Sequence, residues 1–78
     1  MTTPTVGQVV KIAEADYKYG EGELTFRITF VGRPFAEQGT TWIALKGKQW
    51  LGRGYGPERV IGARLAGIMP VADPPDAP

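Results

Sequence analysis

The sequence predicts an all-β domain, a small barrel of four to five antiparallel strands followed by a disordered Pro-rich C-terminal tail. Three observations predict it. Leu24, Phe26, Ile28 and Phe30 alternate with Thr25, Arg27, Thr29 and Val31, the two-residue period of a strand with one face in a core. Gly (11) and Pro (7) are abundant in 78 residues, which favours short strands and turns over long helices. The last apolar segment is apolar on both faces, and closing the sheet into a barrel buries both and hides its edges. A chain of 78 residues makes one domain. Its expected parts are a flexible arm at 1–5, the barrel at 6–69 and the tail at 70–78.

Each element has its own argument. Val6 to Ala13 reads as the first strand, with Val6, Val10 and Ile12 on one face and Val9 and Lys11 on the other. Glu14 to Gly22 lacks apolar periodicity and holds carboxylates, two tyrosines and two glycines, so it reads as a loop. Leu24 to Val31 is the second strand. Gly32 to Thr40 reads as a connection, because Pro34 cannot donate to a sheet ladder and two glycines flank it. Phe35 is expected to plug one end of the core. Thr41 to Leu51 is the third strand, with Ile43 and Leu45 on one face and Trp42, Ala44, Lys46, Lys48 and Trp50 on the other. Gly47 reads as a bulge within it, with a Lys46-Gly47 hairpin as the competing reading. Residues 52–58 form a hairpin loop. Arg59 to Met69 is the last long strand, bent at Gly62 and Gly67.

Composition excludes several kinds of chemistry. The chain has no Cys, His, Ser or Asn. That removes disulfides, thiolate and imidazole metal sites, and Ser/His or Cys/His nucleophile pairs. The expectation is a protein that is not an enzyme and carries no cofactor or metal. The formal net charge of +1 is too balanced for coating nucleic acid by charge alone. It is unevenly spread, however. Residues 1–39 set Lys11, Lys18, Arg27 and Arg33 against Glu14, Asp16, Glu21, Glu23 and Glu37. Residues 40–69 set Lys46, Lys48, Arg53, Arg59 and Arg64 against Glu58 alone. Such a dipolar chain fits a contact on its second half or a head-to-tail homo-oligomer. The first residues hold neither a basic nor an apolar run, and no apolar stretch nears the ~20 residues of a membrane span. The expected compartment is the cytoplasm.

Some segments resemble known families. Val6-Gly-Gln-Val-Val-Lys-Ile12 resembles the first strand of SH3-like barrels. Ala15-Asp-Tyr-Lys-Tyr19 and Gly22-Glu-Leu-Thr-Phe26 resemble the Ala-Leu-Tyr-Asp-Tyr and Glu-Leu-Ser-Phe motifs of SH3 domains, and Trp50-Leu-Gly-Arg53 their Trp-Trp-x-Gly stretch. The likeness covers residues 6–26 well. The interval from Phe26 to Trp50 is longer than usual, and Ile68-Met-Pro70 stands where the family closes with Pro-x-x-Tyr-Val. Val6–Tyr17, Gly22–Thr29 and Trp42–Lys48 are also similar to a set of small actinomycete proteins. That likeness implies membership and no activity.

Two groups of residues are candidate sites. Tyr17, Tyr19 and Tyr55 are loop tyrosines, and such rings supply rigid amphipathic contact area for a protein or peptide. The bland alternative seats one of them over the barrel end. Trp42, Lys46, Lys48, Trp50 and Arg53 interleave aromatic and cationic side chains, the pattern with which small barrels bind single-stranded nucleic acid. Their bland alternative is a core cover with a solvated rim. Glu14, Asp16, Glu21 and Glu23 read as a solvated acidic loop rather than a cation cage. Gly52-Arg-Gly-Tyr-Gly-Pro57 reads as turn chemistry, because a phosphate loop needs a following helix. Pro75-Asp-Ala-Pro78 has Pro-x-x-Pro spacing and reads as part of a solubilising tail.

Overall fold

The computed structural model describes residues 3–75. Among them five antiparallel strands form one curled sheet in the order β4-β3-β2-β1-β5. The strands are β1 (Val9–Ile12), β2 (Leu24–Glu37), β3 (Thr40–Trp50), β4 (Tyr55–Arg64) and β5 (Ile68–Pro70). Short 3-10 turns at Glu14–Asp16 and Leu65–Gly67 precede β2 and β5. Tyr17 bridges to Ala63, and the Lys18 N–H donates to the Gly62 carbonyl (2.8 Å). The segment after β1 therefore folds against the free edge of β4 and makes the sheet barrel-like.

The inner face is continuous. Val10 and Ile12 face Phe26 and Leu24 across β1–β2, and Leu45 faces Ile61 across β3–β4. Val10, Ile12, Tyr17, Leu24, Phe26, Ile28, Ile43, Leu45, Ile61 and Ala63 form the core. Burying each large apolar side chain contributes about 1.5–3 kcal/mol, which is what holds a sheet this small.

Alternation carries the core only as far as Ile28. Ile28 faces Gly47 and Phe30 faces Lys46, so Thr29 is an extra residue in β2. One inserted residue reverses the side-chain faces beyond it. Phe30, expected in the core, therefore points outward and is half exposed. The bulge expected at Gly47 lies on the neighbouring strand. Gly47 itself stays in register with Ile28 and Arg59, and its missing side chain makes room for Phe26. A Cβ there would clash with the Arg27 carbonyl oxygen and come 2.5 Å from the Phe26 ring. No hairpin forms at Lys46-Gly47.

The expected connection at Gly32–Thr40 is mostly strand. β2 runs on to Glu37 through a second register shift between Val31 and Pro34. Beyond Ile28 the pairing records only β3 beside β2, so a proline fits, because it lies on an edge. Gln38 and Gly39, both at positive φ (51° and 79°), make the two-residue turn between Glu37 and Thr40. Phe35 does not plug the core. It faces Trp42 on the outside.

Three further boundaries differ from expectation. Val6 lies in a turn before β1 and is exposed. The hairpin loop is shorter than residues 52–58, since Trp50 already faces Tyr55. The last long strand breaks into β4, a 3-10 turn and β5. The turn is tight at Gly67, where a Cβ would meet the Asp16 carboxylate. At the ends, Pro4 is buried within the expected arm. Pro70, first residue of the expected tail, pairs with Val10 in β5. Asp76–Pro78, which complete the Pro-x-x-Pro spacing, lie outside the described residues. No helix among the described residues is long and apolar enough to cross a membrane.

Candidate functional site

The three tyrosines are not brought to one surface. Tyr17 is 6% exposed and belongs to the core. Its hydroxyl donates to the Gly22 carbonyl (2.7 Å) and accepts the Glu21 N–H (3.1 Å), which pins the loop from beneath. A ring used in this way offers no contact area to a partner. Tyr19, two residues on, is 96% exposed with a φ of 60°. It borders a polar recess of about 310 Å³ with Tyr17, Glu21, Gln49 and Arg59 at the inner mouth of the sheet. The Arg59 guanidinium donates there to the Gln49 side chain (3.1 Å). Tyr55 lies elsewhere, edge-on to Trp50 with ring centroids 5.1 Å apart.

Trp42, Lys46 and Lys48 alternate along β3 on its outer face, opposite the buried Ile43 and Leu45, and Trp50 follows beyond a register shift against β4. Arg53 lies exposed in the turn beyond. The neighbouring strands complete this face in cross-strand rows. Phe30, Lys46 and Val60 face one another across β2, β3 and β4. The next row is Arg27, Lys48 and Glu58, and beyond it Trp50 faces Tyr55. In the other direction along β3, two outer-face rows from Lys46, the order is Phe35, Trp42 and Arg64.

Cations sit on the rings of this face. Arg27 reaches Tyr55 (5.2 Å to the centroid) and Lys46 reaches Phe30 (5.4 Å). Lys18 lies 5.2 Å from the Trp42 centroid and 5.8 Å from that of Phe35. At exposed positions each such contact is worth about 0.5–1 kcal/mol. The two ends differ in charge. At the Trp42 end the cations are matched, Lys18 by Glu37 and Arg64 by Asp16 (2.6 Å). At the Phe30 end Glu58 instead accepts the Thr29 hydroxyl (2.7 Å). Lys46 and Lys48 make no ion pair among the described residues.

Asp16 leaves the acidic loop for Arg64, so Glu14, Glu21 and Glu23 remain as its exposed carboxylates. Among the described residues no three His, Cys, Asp or Glu converge as a metal ion requires. A second recess of about 260 Å³ lies between the arm and the last strand, lined by residues including Pro4, Leu65, Ile68 and Pro70.

Phe30, Val60 and Arg27 are the site residues that sequence reasoning missed. The alternation that made Leu24 to Ile28 readable carried Phe30 along with it, and nothing in the chain marks Thr29 as extra. No protein-family model, curated protein or solved structure matches the chain.

Proposed function

We propose that this protein is a non-catalytic interaction module of the cytoplasm, and that it binds a protein partner through the outer face of β2, β3 and β4. One observation carries the reading. Phe30 and Val60, 52% and 64% exposed, flank Lys46 in a single row that no other element among the described residues covers. Exposed apolar side chains clustered on a rigid sheet mark interaction sites, whereas scattered ones do not. Trp50, Tyr55 and Arg27 adjoin them, and these three residue types dominate binding energy at protein interfaces. The partner that suits the face is apolar at its centre and acidic at its rim.

The SH3 likeness supports this reading as a likeness of fold. Its motif residues Tyr17 and Phe26 are core residues here, so they support a barrel and not a groove walled by Tyr17 and Tyr19. Single-stranded nucleic acid is the second reading, favoured by the shared outer face of Trp42, Lys46, Lys48 and Trp50. Against it, the net charge is only +1, and two cations of this face, Lys18 and Arg64, are already paired with Glu37 and Asp16.

Capture experiments with three proteins test the reading. Phe30→Ser with Val60→Ser removes the apolar row, and Met69→Ser is the control, an equally exposed residue on β5. The partner is expected to be lost with the first variant and kept with the second. Equal retention by both overturns the reading. Titration with a labelled single strand at two salt concentrations tests the alternative. Binding that falls with salt and fails in Trp50→Ala would establish it.

A further inference from the structure

We propose that the acidic segment seated on this outer face is the Tyr19–Glu23 loop of a second copy of the same chain. The inference rests on the reading above, that the face is a docking surface. Three observations select this occupant. The first is charge. Lys46 and Lys48 project from the face, Glu21 and Glu23 from the loop, and none of the four makes an ion pair among the described residues. The second is shape. Tyr19, the first residue of the segment, stands almost fully exposed, and its backbone is in the left-handed region that side chains other than Gly rarely adopt. Tyr17 holds that conformation through its bonds to the Gly22 carbonyl and the Glu21 N–H. A loop already ordered loses little freedom on binding. The third is direction. The loop opens beside Gln49 and Arg59, which lie on the inner register of the sheet, while Lys46 and Lys48 alternate to the outer face. One copy's loop therefore borders the side of the sheet opposite its own Lys46 and Lys48, so pairing the two needs a second copy.

In this contact the Tyr19 ring lies against Phe30 and Val60, and Glu21 and Glu23 meet Lys46 and Lys48 at the rim. The two surfaces differ, so the contact is head-to-tail and each copy uses one of each.

Mass in solution tests the inference. The wild-type protein is expected to grow in average mass with concentration, and less so at high salt, which screens exposed pairs. Lys46→Glu with Lys48→Glu spoils the face. Tyr19→Ala with Glu21→Gln and Glu23→Gln spoils the loop. All five positions are exposed, and far-UV circular dichroism confirms that the fold persists. Each variant alone is expected to remain monomeric, with self-association weakened by at least about tenfold. Their equimolar mixture joins one intact loop to one intact face, so it forms a one-to-one dimer and stops. A wild-type protein that stays monomeric overturns the inference, as does a mixture that forms no dimer. If the protein is monomeric yet loses a different partner with Phe30→Ser and Val60→Ser, the self-contact fails and the docking face stands.

Discussion

The two halves of β2 obey different rules. Residues 24–28 pair with β1 and the turn before it, residues 26–28 pair with β3 as well, and their side chains alternate strictly between core and surface. Residues 29–37 pair with β3, take two register shifts and admit Pro34. A strand paired on both sides cannot accept an extra residue without breaking two ladders. A strand paired on one side can, and bulges concentrate at such edges. The covered half builds the core. The half with a freer edge turns Phe30 outward and so builds the proposed site.

The largest expected effect separates these halves. Phe26→Ala should cost about 3–5 kcal/mol, since it empties a fully buried ring site beside Gly47. That is comparable with the whole stability of a domain this small. Phe30→Ala, the same substitution four residues on, should cost less than about 1 kcal/mol. Urea unfolding of the two variants measures the difference. Equal costs would falsify the bulge at Thr29.

Two glycines extend the comparison. Gly47→Ala forces a methyl against the Arg27 carbonyl oxygen and the Phe26 ring and should cost about 1–3 kcal/mol through overpacking. Gly39→Ala meets no atom within 4 Å, but its φ of 79° is left-handed, so its cost of about 1–2 kcal/mol is backbone strain. A second change tells the causes apart. Phe26→Leu should relieve the ring's part of the Gly47→Ala penalty, leave the part set by the Arg27 carbonyl, and relieve none of the Gly39→Ala penalty. A double-mutant cycle reads that coupling.

These same residues show what the chain makes legible. The core face of β1, the first half of β2 and the alternation of β3 are readable, because period 2 holds wherever the ladder is unbroken. That is also why the outer placement of Trp42, Lys46 and Lys48 could be read. Phe30 could not, because register belongs to a pair of strands and one strand's pattern does not show it. The Gln38-Gly39 turn was hidden by Gly32 and Pro34, whose local meaning is a break unless the strand is known to lie at an edge. Tyr17 was hidden for a related reason. It is brought into the core by a bridge to Ala63, 46 residues away, from a segment that has no periodicity of its own.

Tyr17 and Tyr19 give a smaller and sharper test. Tyr17→Phe keeps the buried ring and removes two hydrogen bonds, leaving the Gly22 carbonyl and Glu21 N–H to find other partners. It should cost about 0.5–1.5 kcal/mol. Tyr19→Phe should leave stability unchanged, since the side chain is exposed and makes no hydrogen bond among the described residues. Thermal unfolding measures both. If Tyr17→Phe is also neutral, the loop is not pinned through that hydroxyl, and the ordered loop loses its physical basis.

Pro34 carries the smallest expected change in stability and the most specific account of the exposed half. If its place in β2 depends on the missing second neighbour, Pro34→Val should alter stability by no more than about 0.5 kcal/mol. The added N–H and a β-branched side chain should, however, make the edge a better template for another strand. The variant should therefore unfold at nearly the wild-type urea concentration but form aggregates faster on long incubation, read by thioflavin fluorescence. A drop of several kcal/mol would mean that proline rigidity holds this half of β2 in place. A stable variant that aggregates no faster would mean that the second half of β2 is shielded by its bulges alone.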